Sequence, residues 1–498
     1  MPADVPPAAG GPAHPRRVPG HSLWTAARKL PASEEPVRFG PLVGHRDDVE
    51  MQAFRSYGLG QFFHFGLYSV VGNEWDGVSA RDGAPASEWV RQWAGPTRPE
   101  GWERTYAGLQ ETFDPSQFDA VALARQARDM GVRYVIVPTK HHDGFCLWPS
   151  RFTGRTVSRT PAGRDIVGEF VAAYQAEGID VFLYFSVLEW DNPDYTEQAP
   201  RSTDARRRLD SFLDYTRNQL LELADRYPGI KGFWFDGTWD ESWITSYEFT
   251  YQLERELRAR IPGLIIGSRF RNDEHGSRHF DSTGRLLGDY EQGWERKLPA
   301  DFELLDGHDW ECVTSIPPND WGYLKDVSGL YLKTPDDLIE LLMRCRSMNG
   351  NLVINFGPDG GGRIRPEENE IARALAAWTS TNAAAIYDAR HVDLPSTGIG
   401  PLTRSGATVF LTVVNRPVTG IARLAFPRSA TEVPVAARIL GTDRDLPVRH
   451  CDIGFDLDDN TYYDVLIPRD FVAAHAFVIA MELGAPATAA AHLMDARM

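Results

Sequence analysis

Polar side chains capable of chemistry follow several short apolar runs of the sequence. His64 ends the first run, His141 and His142 follow the second, and Asp236 ends the fourth. If these runs are parallel strands of one barrel, their carboxyl ends meet at a single face, where barrel active sites are built. One carboxylate at a strand end carries little information, whereas a convergent ring of His, Glu and Asp predicts a catalytic pocket.

Asp236 is the strongest single candidate in this set. It follows the aromatic run 233–235 and precedes Gly237, so indole and phenyl rings would keep water away from its carboxylate. A carboxylate in such a place is either hydrogen-bonded or used in chemistry. It could also cap the next helix. The helical pattern begins only at Trp243, several residues later, and this gap favours a catalytic role.

The adjacent residues His141 and His142 allow two interpretations. Together with His64 they could bind a metal ion and serve a metal-dependent hydrolase. Two neighbouring loop residues point in different directions, however, unlike the i, i+4 pair of a helical zinc motif. Imidazoles can donate or accept hydrogen bonds, which suits the hydroxyl groups of a polyol. We therefore expect no metal at these histidines and keep the metal-dependent hydrolase as an alternative.

The elements that position these residues alternate between strands and helices from about residue 59 to 353. The predicted strands span 60–65, 134–138, 181–185, 232–235, 264–266 and 352–356, and the predicted helices span 119–130, 166–177, 205–227, 243–260, 335–347 and 367–379. This alternation is typical of right-handed βαβ units around a parallel sheet. The sequence therefore predicts an α/β fold with a (β/α)8-like barrel.

The pattern changes after about residue 388. Short β-branched or alternating runs at 408–414, 436–440 and 462–467 are separated by Gly, Pro, Asp and Asn, as in a small antiparallel β-sandwich. We predict four segments, which are a flexible N-terminal tail over 1–40, a catalytic domain over 41–388, a β-sandwich over 389–484 and a frayed tail over 485–498.

Composition excludes several classes of partner. The 52 Lys and Arg against 69 Asp and Glu give a net charge of −17, which argues against nucleic acid because phosphate binding requires a basic surface. No run of about 18 apolar residues exists, so we expect no membrane span. The 4 cysteines form no CxxC pair and suit a reducing compartment, although one disulfide would fit the count. No signal peptide is visible, and we expect a cytoplasmic location, with secretion as the alternative.

Five segments of the sequence carry recognisable motifs. Residues 62–69 read FFHFGLYS, 140–148 read KHHDGFCLW, 184–190 read YFSVLEW, 234–237 read WFDG, and 349–360 read NGNLVINFGPDG. In content and order they resemble the motifs of the α-L-fucosidases of glycoside hydrolase family 29. The KHHDGF segment is the most specific of the five, and the resemblance extends from residue 62 to residue 360.

The resemblance implies a retaining exo-glycosidase that removes terminal α-L-fucose from a glycan or small-molecule substrate, with no metal or organic cofactor. It assigns the role of nucleophile to Asp236. The residues that it implies for fucose binding are His64, His141, His142, Tyr184, Trp234 and Arg269. Retention needs two carboxyl groups about 5–5.5 Å apart, one acting as nucleophile and the other as proton donor and then base.

The second carboxyl group has three candidates. Segment 288–296 resembles the acid/base segment of the family with one extra residue, and Glu295 matches its last position. Glu291 is the alternative because of that insertion. Glu311 resembles a residue of a different family segment, so we favour Glu295.

Two Glu-Trp pairs could supply the pocket glutamate of the family. Glu88 fits the distance to segment 113–119, whereas Glu74 lies nearer to His64 in the chain, and we favour Glu88. Trp321, within a Trp-Gly-Tyr sequence, resembles a tryptophan of the family's pocket wall.

A protein of the same fold that binds fucose without turnover is the alternative function. Because Asp236 and a candidate glutamate are both present, nothing in the sequence indicates lost catalysis. Hydrolysis and transfer to another acceptor share the covalent intermediate, so the sequence does not separate them. The fucosyl linkage, the leaving group and the oligomeric state stay open, with a homo-oligomer as one alternative.

Overall fold

The computed structural model describes residues 46–75, 78–79, 86–93, 102–300, 302–305, 307–451 and 459–486. The predicted tail 1–40 lies outside these residues, and only 485–486 of the predicted tail 485–498 lie within them. The boundaries of the four predicted segments therefore stay predictions.

A parallel sheet lies at the centre of the larger, N-terminal part of the described chain. The first ten strands are β1 Leu59–Phe63, β2 Glu74–Trp75, β3 Val78–Ser79, β4 Tyr134–Lys140, β5 Asp180–Ser186, β6 Gly232–Asp236, β7 Ile265–Ile266, β8 Glu291–Glu295, β9 Trp310–Ser315 and β10 Asn351–Phe356. Strands β2 and β3 form a separate hairpin. The other eight pair in the order β7-β6-β5-β4-β1-β10-β9-β8.

The two edge strands of this sheet are also joined. Gly267, just after β7, forms a parallel bridge with Tyr290, just before β8. The backbone N–H of Ser268 donates to the carbonyl of Tyr290 at 3.0 Å. This bridge closes the sheet, and the predicted (β/α)8-like barrel is confirmed.

Helices accompany most of the barrel strands. They are α1 Val49–Ser56, α2 Tyr68–Val71, α3 Val90–Trp93, α4 Trp102–Gly108, α5 Ala120–Asp129, α6 Ile166–Ala176, α7 Thr203–Arg226, α8 Glu241–Ile244, α9 Tyr247–Arg260, α10 Pro335–Ser347 and α11 Pro366–Ile386. Side-chain caps start three of the longer ones, because Asp119, Asp165 and Ser202 each accept a hydrogen bond from the backbone N–H three residues later. The predicted helices therefore begin close to where their capping residues lie.

Two barrel strands and one helix are among the elements that differ from the prediction. Strands β8 and β9 were not predicted, since β8 reads EQGWE and β9 carries Glu311, and neither is the apolar run of a buried strand. The predicted helix 243–260 is wrong as one element, because it divides between α8 and α9. The Ser246 hydroxyl donates to the Ser242 carbonyl at 2.7 Å at this break, a bond that competes with regular helix.

The C-terminal strands form two antiparallel sheets. They are β11 Leu402–Ser405, β12 Thr408–Val413, β13 Ile421–Pro427, β14 Val433–Ile439, β15 Asp445–Leu446, β16 Val448–Cys451, β17 Asn460–Leu466 and β18 Phe477–Gly484. One sheet has the order β11-β12-β18-β14-β15 and the other β13-β17-β16. Val409 and Leu411 of the first sheet share one buried cluster with Leu424 and Val465 of the second, as in a sandwich.

The barrel and the sandwich share apolar packing and polar contacts. Phe410 and Val478 of the sandwich lie in the same buried cluster as Trp378 of α11. The indole Nε1 of Trp378 donates to the carbonyl of Ala476 at 2.6 Å. The barrel and the sandwich therefore pack against each other as the parts of one hydrophobic core do, and not as two independent domains with a polar interface.

Arg346 of α10 reinforces this junction. Its guanidinium is completely buried and donates to the carbonyls of Gly350, Ile386 and Ala389 at 2.8, 2.9 and 3.1 Å. Backbone carbonyls thus compensate for the burial of its charge. The same side chain links the barrel helix α10 to the segment that leads into the sandwich.

Two further observations bear on the class of protein. No helix in the described part of the chain is long and apolar enough to cross a membrane. The four cysteines are free, and Cys146, Cys312 and Cys345 are buried.

Glu368 in the first turn of α11 should make stability depend on pH. Burial raises the pKa of this carboxyl from 4.5 to about 8, and Arg365 at 4.0 Å only partly opposes the shift. The folded state therefore holds a proton that the unfolded state releases, so stability falls as pH rises from 4.5 towards 8. We expect Glu368→Gln to weaken this fall, as measured by chemical unfolding across that range of pH.

Glu370 provides the control, because it is exposed on the same helix and is not among the charges that shift the pKa of Glu368. Glu370→Gln should leave the dependence of unfolding free energy on pH as in the wild type. If the Glu368→Gln curve ran parallel to the wild-type curve, burial of this carboxyl would not be the cause.

Candidate active site

The carboxyl ends of the barrel strands surround a pocket of about 910 Å³. Nine of the ten site residues predicted from the sequence line it, and these are His64, Glu88, His141, His142, Trp234, Asp236, Arg269, Glu295 and Trp321. Tyr184, the tenth, is buried next to the pocket and hydrogen-bonds to Asp236. The structure therefore brings the predicted residues together, while their individual roles remain to be tested.

Asp236 lies at the end of β6 with both carboxylate oxygens engaged. The Tyr184 hydroxyl donates to Oδ2 at 3.0 Å, and Nη1 of Arg269 donates to Oδ1 at 3.1 Å. Burial alone would raise the pKa of Asp236, but the electrostatic interaction with the adjacent His142 ring, the charge of Arg269 and the Tyr184 hydrogen bond outweigh it and lower this pKa. Asp236 is therefore an oriented carboxylate that stays ionised at neutral pH.

Glu295, the last residue of β8, binds the same guanidinium of Arg269 as Asp236 does. Nη2 of Arg269 donates to Glu295 Oε2 at 2.8 Å, and Nη2 of Arg296 donates to Oε1 at 3.0 Å. Pairing between β8 and β9 shifts register between Glu291 and Trp294. An irregularity of this kind redirects the side chains that follow it, which is how Glu295 comes to line the pocket.

The other two candidate glutamates lie elsewhere. Glu291 begins β8 before the irregularity, is buried, and does not line the pocket. Glu311 lies inside the barrel and accepts hydrogen bonds from Trp234 Nε1 at 2.7 Å and from the Tyr134 hydroxyl at 2.8 Å. Burial raises the pKa of Glu311 to about 7. Glu311 thus supports the pocket tryptophan from behind, and of the three glutamates Glu295 alone contacts Arg269.

His142 offers an acceptor nitrogen beside Asp236. Its Nδ1 lies 2.7 Å from Ser186 Oγ, which donates its own hydrogen to the Leu188 carbonyl at 2.8 Å. Ser186 therefore accepts from His142 Nδ1, and the Nε2 atom, 3.7 Å from Asp236 Oδ2, carries no hydrogen in the neutral ring. Burial lowers the pKa of His142 to about 4, so the ring is neutral at neutral pH.

His64 is fixed in the same tautomer by a different partner. Its Nδ1 lies 2.7 Å from Asn355 Oδ1, and Asn355 Nδ2 donates to the Trp321 carbonyl at 2.6 Å. The amide oxygen thus accepts from His64, and Nε2 is left as an acceptor. Burial lowers the pKa of His64 to about 4.

The third histidine has an incomplete set of partners. His141 is buried against Tyr184, with ring centroids 5.7 Å apart and planes 8° from parallel. Its Nδ1 has no hydrogen-bond partner among the described residues. Burial lowers the pKa of His141 well below its usual range, so the ring stays neutral. Together the three histidines offer neutral donors and acceptors, as sugar hydroxyls require.

Two indoles form apolar walls of the pocket. Trp234 stacks beside Tyr184 at a centroid distance of 5.7 Å, and the Arg269 guanidinium lies 4.9 Å from its ring. Trp321 stacks on His64 at 5.3 Å, and the Arg296 guanidinium lies 5.1 Å from its ring. Rings held in this way suit the apolar face and methyl group of a deoxysugar.

Glu88 is the pocket glutamate of the two that the sequence offered. Its Oε2 accepts the backbone N–H groups of Trp321 and Gly322 at 3.1 and 3.0 Å, which leaves Oε1 for the pocket. Burial raises the pKa of Glu88 to about 7. Glu74, in strand β2, has an exposed side chain and does not line the pocket.

We expect Glu88→Gln to lower kcat/KM by about tenfold to a hundredfold, because a hydrogen bond to a charged group contributes about 1.5–3 kcal/mol. The loss should grow above pH 7, where the wild-type carboxyl is ionised. Steady-state kinetics on an aryl α-L-fucoside, the substrate class that the sequence resemblance implies, measure both effects. Glu74→Gln is the matched control and should behave as wild type, and a loss confined to Glu74→Gln would reverse the assignment.

Several pocket residues escaped the sequence analysis. Trp89, Trp239, Arg278, His279 and Arg296 all line the pocket. Apart from the Glu-Trp pair that contains Trp89, no motif marked them. His279 and Arg296 adopt positive φ angles of 64° and 55°, which non-glycine residues seldom do. Such backbone strain often occurs at functional sites, but it is not readable from residue types.

One set of side chains in the described residues could converge on a cation. Oxygen and nitrogen atoms of His141, His142 and Asp236 lie within 4.8 Å of one another. His64, the third histidine of the metal alternative, is not in this set. Because Tyr184 and Arg269 already donate to the oxygens of Asp236, the set fits a hydrogen-bonded carboxylate better than a metal ligand.

Known proteins share both the sequence pattern and this fold. The sequence model of the α-L-fucosidase family matches residues 38–384. The chain belongs to the α-L-fucosidases of glycoside hydrolase family 29. As predicted from the motifs, it is therefore a glycoside hydrolase of this family.

Relatives of this family resemble the chain over most of its length. The tissue alpha-L-fucosidase of Rattus norvegicus is 29% identical over 387 residues, covering 75% of this chain and 79% of the relative. The crystal structure of a GH29 alpha-L-fucosidase from Bacteroides thetaiotaomicron is 40% identical, with a TM-score of 0.83 over 92% of this chain and 100% of that chain.

A second structure from Bacteroides thetaiotaomicron shows a reaction intermediate. It is a trapped covalent intermediate of a GH29 alpha-L-fucosidase with 2-fluoro-fucosyl fluoride, obtained with a glutamate-to-glutamine variant. That chain is 40% identical to this one, with a TM-score of 0.82 over 91% of this chain and 100% of its own length.

Proposed function

We propose that this chain hydrolyses terminal α-L-fucosides with retention of configuration, through a covalent fucosyl-enzyme intermediate. The observation that carries the proposal is the Arg269 guanidinium, whose two amino groups bind Asp236 and Glu295 in one pocket. A retaining glycosidase requires such a pair of neighbouring carboxyl groups. The covalent intermediate trapped in the 40% identical relative supports the same reaction path.

In the first step, Asp236 attacks the anomeric carbon of fucose and forms an ester. Its lowered pKa keeps it ionised, and Tyr184 and Arg269 hold it in one orientation. Glu295 in its protonated form gives its proton to the glycosidic oxygen, so the leaving group departs as an alcohol. The bond to the leaving oxygen breaks as the bond to the Asp236 carboxylate forms.

In the second step, Glu295 acts as a base on a water molecule. The water attacks the anomeric carbon, the ester bond breaks, and the Asp236 carboxylate is regenerated. Two successive displacements return the anomeric carbon to its original configuration. The water proton restores Glu295 to the protonated state needed for the next substrate.

The remaining pocket residues fit the sugar itself. Fucose is a 6-deoxy sugar, and neutral His64, His141 and His142 can bind its hydroxyls. The unpartnered Nδ1 of His141 and the Nε2 atoms of the other two rings are available for this. The wall made by Trp234 and Trp321 suits its methyl group and apolar face.

The decisive experiment follows the anomeric form of the first product by proton NMR. We expect α-L-fucose to appear first from an aryl α-L-fucoside and to equilibrate slowly with the β anomer. Incubation with 2-fluoro-fucosyl fluoride should add one fluorofucosyl group to the peptide that contains Asp236. β-L-Fucose as the first product would rule out the covalent intermediate.

The same assay addresses the two alternatives. Binding of fucose without cleavage of any fucoside would favour the fucose-binding protein. For the metal-dependent hydrolase, we expect activity to persist in a chelator, because oriented carboxylates supply the nucleophile and the proton. Loss of activity in the chelator with recovery on adding a divalent cation would reverse this. The cytoplasmic location, a homo-oligomer and the choice of glycan substrate remain proposals.

A further inference from the structure

The pocket is larger than one sugar ring requires. At about 910 Å³ it lies near the upper end of the range of about 300–1,000 Å³ for small-molecule sites, so space remains for a leaving group. Trp89 and Trp239 line this pocket, with ring centroids 6.2 Å apart and planes 14° from parallel. A third side chain of the pocket, that of Arg278, donates a hydrogen bond to the hydroxyl of Thr238, the residue before Trp239.

Arg278 differs from the other two arginines that line the pocket. Arg269 and Arg296 both form ion pairs with Glu295 at 2.8 and 3.0 Å. Arg278 lies within 4.0 Å of no carboxylate oxygen among the described residues, and its guanidinium donates only to Thr238 Oγ1, at 3.5 Å. A guanidinium presents five N–H donors, so most of those of Arg278 are available to a bound molecule.

The backbone holds Arg278 in place without an ion pair. The segment between β7 and β8 contains bridges that pair Asn272 with Arg278 and Phe280 with Leu286. The next residue, His279, has a φ angle of 64°, and its Nδ1 lies 2.9 Å from Ser268 Oγ. These contacts fix the backbone at Arg278 before any ligand binds, which reduces the entropy lost on binding.

The charge around Arg278 favours an anion on the leaving group. Asp236 and Asp240 are the acidic groups that act on it, while Arg269 repels it. Glu295 carries its proton when the substrate binds, so in the first step it supplies no negative charge to Arg269, Arg278 and Arg296. A carboxylate on the leaving group would supply negative charge next to these arginines. Its two oxygens also match the two parallel N–H donors of a planar guanidinium.

We propose that Arg278, which lines the same pocket as Trp239, forms a subsite for a carboxylate on the leaving group, so that acidic fucosides are preferred substrates. This inference rests on the proposed fucoside hydrolysis. It concerns the leaving-group part of the pocket, which the residues implied for fucose binding do not include.

A matched pair of substrates tests it. 4-Carboxyphenyl α-L-fucoside carries the anion, and 4-carbamoylphenyl α-L-fucoside is its neutral analogue of nearly equal size. The ratio of their kcat/KM values is measured for the wild type and for Arg278→Gln, so that intrinsic differences between the leaving groups cancel. We expect Arg278→Gln to lower this ratio by about tenfold to a hundredfold, as for a lost hydrogen-bonded charge pair.

Two further variants and one salt series complete the design. Arg278→Lys keeps the positive charge but loses the paired N–H donors of the guanidinium, so it should retain part of the preference for the carboxyphenyl fucoside. Arg285 is exposed on the same segment and does not line the pocket, so Arg285→Gln should keep the wild-type ratio. In the wild type the ratio should fall as sodium chloride is raised, because salt screens a partly exposed pair.

The outcomes separate the two proposals. An unchanged ratio in Arg278→Gln, or a wild-type ratio that does not respond to salt, would overturn the carboxylate subsite while leaving fucoside hydrolysis intact. Failure of the wild type to cleave either fucoside would instead overturn the proposed function, and the subsite with it. Loss of the preference in Arg285→Gln would show an effect of overall charge and would also reject Arg278 as its source.

Discussion

Asp236→Ala should abolish fucoside cleavage, with kcat reduced on the order of 10⁴-fold or more, as for other lost nucleophiles. The variant has no group that can form the ester, and Tyr184 and Arg269 would then donate to an empty position. Steady-state and single-turnover assays with an aryl α-L-fucoside measure the loss. Added azide, a small external nucleophile, should restore part of the cleavage by occupying the vacated space.

Two controls separate chemistry from folding in this experiment. Asp214→Ala removes an exposed carboxylate from α7 and should retain wild-type turnover. Fucose binding to Asp236→Ala, measured by calorimetry, should persist because the histidines and indoles of the pocket remain. Substantial turnover by a correctly folded Asp236→Ala would show that another group is the nucleophile.

Glu295→Gln should produce a loss that depends on the leaving group. General acid catalysis contributes about 10²–10⁴-fold, so cleavage of fucosides with poor leaving groups should fall by this factor. Activated aryl fucosides, which need no proton on the departing oxygen, should lose much less in the first step.

Glu291→Gln is the matched control, since it changes the same residue type on the same strand outside the pocket. It should preserve the leaving-group dependence of the wild type. Azide should accelerate turnover of the fucosyl-enzyme in Glu295→Gln and have little effect on Glu291→Gln. If these responses were exchanged between the variants, Glu291 would be the acid/base residue.

Motifs and strand ends were enough to predict much of the site. Asp236, His64 and His142 lie beside strongly apolar runs that can only be buried strands, and parallel strands bring their carboxyl ends together. Assigning the strands was therefore enough to predict which polar residues lie together at one face of the barrel. The family and the barrel, both predicted in this way, are confirmed.

Strand β8 shows why the rest could not be predicted. Its sequence EQGWE has neither an apolar run nor a clean alternation, and its register shifts between Glu291 and Trp294. Which glutamate faces the pocket depends on that irregularity, so spacing alone left Glu291 and Glu295 as alternatives. Arg278 is a similar case, since it reaches the pocket from an irregular segment whose backbone bridges leave no periodic signal.

The backbone carbonyls that surround Arg346 affect how the molecule unfolds. Ala389 belongs to the segment after α11, and Gly350 to the barrel, so one cation is solvated by both sides of the junction. A chain shortened before Ala389 would leave Nη2 of this cation without its carbonyl acceptor, at a cost of about 1–3 kcal/mol. The sandwich therefore contributes to the stability of the barrel. On heating, barrel and sandwich should unfold together in a single calorimetric transition.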